Sequence, residues 1–271
     1  MKITFLGTGS STPTPKQKGK PFRSYACTMI ETGEATILFD IGPGTVLKLL
    51  ELGVDILRKP THIFISHFHI DHCQDIIALM KARGLHSMYS GENEKLNIYG
   101  PRGLKDMLTQ LFSGVEKWEY MVHEWNSFEL MNLKETMQGV VIETSEFKVN
   151  CSPIKHYGGV AYCLEAEGKA VVYSGDMGYD ENFAELGKDA DLAIVECSYP
   201  DKQTLKGLHL CPEDIARLAS LGNFRQTALT HMYPACVGRE GEMKRVIEEN
   251  SGTKVIITED FFTLFPERLI E

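Results

Sequence analysis

The segment Ser66-His67-Phe68-His69-Ile70-Asp71-His72 constrains this chain more than any other feature. Three histidines and an aspartate fall between positions 67 and 72, directly after the apolar run His62-Ile63-Phe64-Ile65. An apolar run of this kind reads as a buried strand. A loop leaving such a strand can aim neighbouring side chains at different sides of one polar pocket. His67 and His69, two apart, could share one metal, while Asp71 and His72 turn onto a second. Imidazole nitrogens with a carboxylate suit zinc, with iron or manganese as lesser fits.

Further metal-capable residues follow later apolar runs. His156 comes after Phe147-Lys148-Val149-Asn150-Cys151, Asp176 ends Ala170-Val171-Val172-Tyr173-Ser174-Gly175, and His231 ends Gln226-Thr227-Ala228-Leu229-Thr230. In isolation each has an ordinary structural explanation, as a core histidine or a turn aspartate. Together with the first motif they read as one ligand set.

That ordered set resembles the metallo-β-lactamase superfamily, over essentially the whole chain. The resemblance implies that His67, His69 and His156 hold one metal ion, that Asp71, His72 and His231 hold the other, and that Asp176 bridges them. True β-lactamases of the superfamily usually carry a cysteine where Asp176 stands, and flavodiiron proteins a glutamate where His69 stands. Antibiotic hydrolysis and oxygen reduction are therefore disfavoured.

The remaining sequence is compatible with one large domain spanning residues 1–271. Hydrophobic residues make up 43% of the chain, enough for a substantial core, and no Pro/Gly/Ser-rich linker divides it. Ligands running from His67 to His231 would force separate domains to meet at one site. The seven cysteines are scattered without a C-x-x-C pair, which favours reduced thiols in the cytoplasm. No stretch approaches the ~20 apolar residues of a membrane span, and no leader is expected before Lys2-Ile3-Thr4-Phe5-Leu6. Nothing in the sequence sets the oligomeric state, and a homodimer is compatible with it. Net charge is −9, unlike the basic surfaces that gather nucleic acid. The run from Lys16 through Lys18 and Lys20 to Arg23 is a local exception, read as a solvated loop that could attract RNA.

Strands are expected at Lys2–Leu6, Cys27–Glu31, Thr36–Asp40, His62–Ile65 and Leu96–Tyr99, and in the later half at Ala170–Tyr173, Leu192–Val195, Thr227–Thr230 and Lys254–Ile257. Helices are expected near Pro43, through Ile76-Leu79-Met80, through Leu104-Met107-Leu108-Leu111-Phe112, and from Pro212 with Gly222 as its C-terminal stop. From Trp118 to Cys163 the pattern reads mostly as strand, including the alternation of Trp118, Tyr120 and Val122; Trp118 and Trp125 are expected to pack in the core. Two β-sheets covered by helices follow from this order. The resemblance sharpens them to an α/β, four-layer αβ/βα sandwich with the metals at one edge of the sheets.

Two metals roughly 3.5–4 Å apart can share a water, lower its pKa towards ~7 and orient it as hydroxide. Esters, thioesters, lactones and phosphodiesters all fit this chemistry. The candidate catalytic residues are Asp71, Glu196 and His209, with Asp71 also a ligand. Glu196 ends Asp191-Leu192-Ala193-Ile194-Val195, and a carboxylate there could orient His209 as a general acid for a departing alkoxide. Phe5-Leu6-Gly7-Thr8-Gly9-Ser10, Leu38 to Thr45, and Ser174-Gly175-Asp176 look like the phosphodiesterase branch typified by tRNase Z. Glu196 and His209 match a Glu and a His of that branch, although His209-Leu210-Cys211 lacks the hydroxyls of the branch's His-Ser-Thr segment. The Gly7-Thr8-Gly9 loop could offer amides to phosphate. The bacterial tRNA-gripping arm would fall between His156 and Asp176, where only Tyr157 to Gly175 intervene and two strands use most of them. A small cyclic or nucleotide phosphodiester is thus the expected substrate, with tRNase Z-like RNA cleavage and glyoxalase II- or lactonase-like ester hydrolysis as alternatives.

Overall fold

The computed structural model describes residues 1–16, 21–33, 35–118, 120–123, 127–202 and 207–266. Its elements run β1 (Lys2–Gly7), β2 (Cys27–Thr32), β3 (Ala35–Phe39), α1 (Thr45–Glu51), β4 (His62–Phe64), α2 (Ile70–Cys73), α3 (Ile76–Ser90), β5 (Leu96–Gly100), α4 (Leu104–Ser113), α5 (Tyr120–His123) and β6 (Met131–Glu135). Then follow β7 (Gly139–Glu143), β8 (Phe147–Pro153), β9 (Val160–Ala166), β10 (Lys169–Tyr173), α6 (Glu181–Leu186), β11 (Leu192–Glu196), α7 (Pro212–Gly222), β12 (Gln226–Thr230), α8 (Glu240–Ser251), β13 (Lys254–Ile257) and β14 (Thr263–Leu264).

These strands form two seven-stranded sheets, ordered β14-β1-β2-β3-β4-β5-β6 and β13-β12-β11-β10-β9-β8-β7. Both are mixed: β3, β4, β5 and β6 run parallel in the first, and β10, β11, β12 and β13 in the second. Three apolar layers account for the packing. Phe39, Phe64, Tyr162, Tyr173 and Ile194 belong to the layer between the sheets. Leu49, Leu79, Met80, Leu108 and Phe112 seal the first sheet beneath α1, α3 and α4. Phe183, Ile215, Leu218 and Met243 seal the second beneath α6, α7 and α8. This is the four-layer αβ/βα sandwich. The all-apolar parallel strands are buried on both faces, which explains why they read as continuous hydrophobic runs.

One expectation fails. The alternation of Trp118, Tyr120 and Val122 forms no strand: Glu116–Trp118 is a 3₁₀ turn and Tyr120–His123 a single helical turn. A short alternating run carries too little signal when tertiary contacts, here α4 and its neighbours, claim the segment. The side chain of Trp118 and all of Trp125 lie outside the described residues.

Two glycines permit close approaches at this edge, Gly175 between the two sheets and Gly42 within the first. A Cβ on Gly175, at φ +58°, would sit 2.5 Å from Ser66 Cβ, and one on Gly42 would sit 2.1 Å from the carbonyl oxygen of Asp71. Hydrogen bonds cross the same seam, from Tyr162 OH to Ile65 O at 2.8 Å and from Val160 N to Ser66 O at 2.9 Å. No helix among the described residues is long and apolar enough to cross a membrane.

Candidate metal centre

Every candidate ligand leaves the C-terminal end of a strand on this seam. His67 and His69 occupy the loop after β4, Asp71 and His72 lie on α2, and His156, Asp176 and His231 follow β8, β10 and β12. His231 is held at φ +55°, a left-handed conformation uncommon outside glycine that turns the chain sharply at the strand end. Loops on a rigid sheet edge are where side chains can be placed to a fraction of an ångström.

The side chains converge as two sets. Ligand atoms of His67, His69, His156 and Asp176 lie within 4.8 Å of one another, as do those of Asp71, His72 and His231. Asp176 joins the sets, with Oδ2 3.8 Å from His67 Nε2 and Oδ1 3.3 and 3.1 Å from Nε2 of His72 and His231. A third grouping places His209 with Asp176 and His231. The seven positions expected from sequence therefore lie together in one place.

Outer partners fix the ring orientations. His72 Nδ1 lies 2.7 Å from Asp40 Oδ2, His156 Nδ1 3.1 Å from the Leu208 carbonyl, and His231 Nδ1 3.0 Å from Ser198 Oγ. Such contacts commit Nδ1 outward and leave Nε2 facing the centre, as metal-binding histidines require. Asp40, wholly buried, also accepts from Ser66 N, Ser66 Oγ and Tyr173 OH at 2.7, 2.8 and 2.7 Å.

The protonation preferences of His67 and Asp176 suit cations. Burial pushes His67 well below its ordinary value, leaving a lone pair available on Nε2. Burial would raise Asp176, but the imidazoles of His231 and His72 outweigh it and hold the carboxyl well below the usual range. Nε2 of His67, Nε2 of His156 and Oδ1 of Asp176 are buried with no hydrogen-bond partner among the described residues. Such orphaned groups cost free energy unless another partner satisfies them. The cluster fits divalent metal ions.

Beside it lies the second candidate pair. His209 Nδ1 is 2.8 Å from Oε1 of the fully buried Glu196. Glu196 in turn accepts from Met177 N at 2.9 Å, Ser198 N at 3.1 Å and Ser198 Oγ at 2.6 Å. Burial works against charge on His209, yet the Glu196 carboxylate prevails and lifts it to about 9. At neutral pH the pair thus holds a proton at the edge of the ligand cluster. Ser198 was not foreseen: its Oγ touches Glu196, His209 and His231, so one hydroxyl ties the pair to a candidate ligand.

The expected phosphate contact at Gly7-Thr8-Gly9 is not available, and one cation of the expected basic run, Arg23, is buried while Lys16 is exposed. Thr8 N and Gly9 N are consumed by Asp260 Oδ1 and the Ser24 carbonyl, at 2.9 and 2.6 Å. The Gly7-Thr8-Gly9 glycines instead let two segments touch, since a Cβ on Gly7 would lie 1.7 Å from the Tyr25 carbonyl oxygen. Arg23 is not solvated: it is 1% exposed, donates to Thr8 Oγ1 at 3.0 Å and to the Thr258 carbonyl, and lies 3.9 Å from Glu240. Lys18 and Lys20 fall outside the described residues.

Comparison with known proteins places this geometry among relatives. The Beta-lactamase superfamily domain matches residues 35–232. A ribonuclease Z of Picosynechococcus sp. is 28% identical over 320 aligned positions, covering 97% of this chain and 96% of that protein. The aligned span exceeds the 271 residues here, so that relative holds stretches with no counterpart in this chain. Among solved structures, the metallo-beta-lactamase fold protein YhfI from Bacillus subtilis superposes with a TM-score of 0.79 at 20% identity, covering 97% of this chain and 98% of that one. The short form of human tRNase Z does so with a TM-score of 0.73 at 23% identity, covering 98% and 99%. Both share the fold.

Proposed function

The chain belongs to the β-lactamase superfamily and is a metal-dependent hydrolase, and from that premise we propose that it cleaves phosphodiester bonds, with RNA as its substrate class. The observation that carries the reading is the Glu196–His209 pair, 2.8 Å apart beside the ligand cluster. Phosphodiesters need such a pair because their alkoxide leaving groups are poor without a proton, whereas thioesters and lactones do not require it. The name ribonuclease Z, which relatives of this chain carry, supports RNA ahead of the small diester expected from the sequence.

His67, His69 and His156 would hold one ion, Asp71, His72 and His231 the other, with Asp176 between. The histidine-rich donor set suits zinc, with manganese or iron as alternatives. Bound divalent ions supply Lewis-acid polarisation of a phosphoryl group and a lowered water pKa. His209 delivers its proton to the departing oxygen, Glu196 holds the imidazole in place through Nδ1, and Ser198 keeps Glu196 from turning away. The buried floor of the site excludes bulk water and so strengthens each of these contacts.

A second reading, a small nucleotide diester, is favoured by the two-residue connection between β9 and β10, Glu167-Gly168, which leaves no room for a tRNA-gripping arm. The net charge of −9 points the same way. The deciding experiment loads the protein with zinc or manganese and compares kcat/KM on a precursor tRNA with a 3′ trailer against cyclic nucleotides and other small diesters. RNA cleavage should exceed every small diester. The reverse order selects the second reading, and turnover of thioesters or lactones far above both removes phosphodiester chemistry.

A further inference from the structure

Aromatic rings stand on two rims of the site. Tyr157 is 72% exposed, yet its ring lies 5.4 Å from that of His69 and 5.1 Å from that of His156. It projects from a tight turn fixed by Gly159 N donating to the His156 carbonyl and by Gly158 at φ +76°. Its hydroxyl has no hydrogen-bond partner among the described residues, which leaves the ring free to meet a ligand beside the two histidines. On the other rim Tyr233 stacks on Tyr199, with centroids 5.1 Å apart and planes at 23°. Tyr233 is also pinned through Ser11 Oγ at 2.9 Å and stands 6.1 Å from both His209 and His231.

We propose that Tyr157 and the Tyr199–Tyr233 pair are nucleobase platforms flanking the scissile bond, so that the chain selects diesters between nucleosides whose bases are unpaired. The inference rests on the phosphodiesterase reading and names its substrate class. The rim beside His209 takes the departing nucleoside, because its oxygen must meet that histidine's proton. Tyr157 takes the base of the nucleoside that keeps the phosphate. Every base offers a π-face, so such platforms tolerate any sequence, but a base within a duplex has both faces occupied. Stacking also supplies a grip that needs neither an arm nor a basic surface.

The test pairs Tyr157→Ala, Tyr157→Phe and Tyr233→Ala in the metal-loaded protein with single-stranded RNA carrying either normal or abasic residues beside the cut. Loss of one stacked base is worth roughly 5- to 150-fold. Each alanine variant should lose that much kcat/KM on normal RNA, chiefly through KM, and Tyr157→Phe should lose little. Abasic substrate should cost the wild type as much, and combining abasic substrate with the matching alanine should cost little more than either alone. Equal losses on normal and abasic RNA overturn the proposal, as does no loss. A binding measurement keeps it separate from the functional reading. Titration calorimetry should show adenosine monophosphate binding tighter than ribose 5-phosphate to wild type, with the difference shrinking in Tyr157→Ala. If no phosphodiester is turned over, the functional reading fails, and calorimetry alone then decides the platforms. Equal affinity of wild type for the two ligands overturns them.

Discussion

His209 is the residue on which the chemistry is most exposed to test. If its proton goes to the departing oxygen, His209→Ala should retain metal and fold while slowing kcat on poor leaving groups by roughly 10²–10⁴-fold. The deficit should shrink for p-nitrophenolate, which departs without a proton. Glu196→Gln should give a smaller deficit of the same shape, because it disturbs orientation and leaves the donor in place. Rates across esters of graded leaving-group pKa decide the matter, and a uniform deficit would instead make His209 a phosphate contact. The clustering of the candidate ligands and of this pair was legible in the sequence because histidines at strand ends are rare and their spacing is specific. Asp40 and Ser198 were not singled out. An aspartate after a strand and a serine in a loop are common, and their roles exist only once β3, β10, β11 and β12 converge. Arg23 misled for the converse reason. A cation within a basic run reads as solvated, and only the fold supplies the carbonyl, hydroxyl and carboxylate that allow its burial.

Among the elements, α7 carries His209 at its entrance and is imperfectly capped. Cys211 is its N-cap, and its thiol makes only weak contacts there, to the Asp214 backbone amide and, at 3.3 Å from Sγ, to Asp214 Oδ2. A serine hydroxyl is a stronger acceptor than a thiol for that amide and keeps the Asp214 carboxylate contact. Cys211→Ser should therefore stabilise the protein by about 0.5–2 kcal/mol, seen as a Tm higher by roughly 1–8 °C. A lower Tm would mean that packing around this buried thiol outweighs the cap. Elements with a sustained period or an unbroken apolar run were readable: α4 buries Leu104, Leu108 and Phe112, as its spacing predicts. The stretch near Trp118 was not, because a few alternating residues cannot outvote the neighbours they pack against. The end of α7 shows a finer limit. The helix includes Gly222, and Asn223 takes the left-handed position at φ +51°, a substitution that asparagine tolerates better than most residues.

At the scale of the whole molecule, metal should act as a structural component. Ligands from the loop after β4 and from α2 face ligands from β8, β10 and β12, so bound ions would couple the two sheets. Ligand binding to the native state alone stabilises by about 4 kcal/mol at a thousandfold excess over Kd. Chelation should lower Tm by several degrees and zinc or manganese should restore it, with about two ions per chain by elemental analysis. An unchanged Tm after verified removal of metal would show that the inter-sheet core alone holds the halves together.

The placement of one centre across two sheets has a mechanical consequence. Metal–ligand distances tolerate only about ±0.2 Å, whereas two apolar faces can slip past one another by more than that at little cost. The glycine at 175 and the hydrogen bonds from Tyr162 and Val160 hold the seam within a narrower gap than apolar packing requires. The centre therefore behaves as a vernier on the alignment of the sheets. A substitution in the aromatic layer between the sheets, at Phe39 or Phe64, would be felt first as lost metal occupancy, well before the chain unfolds.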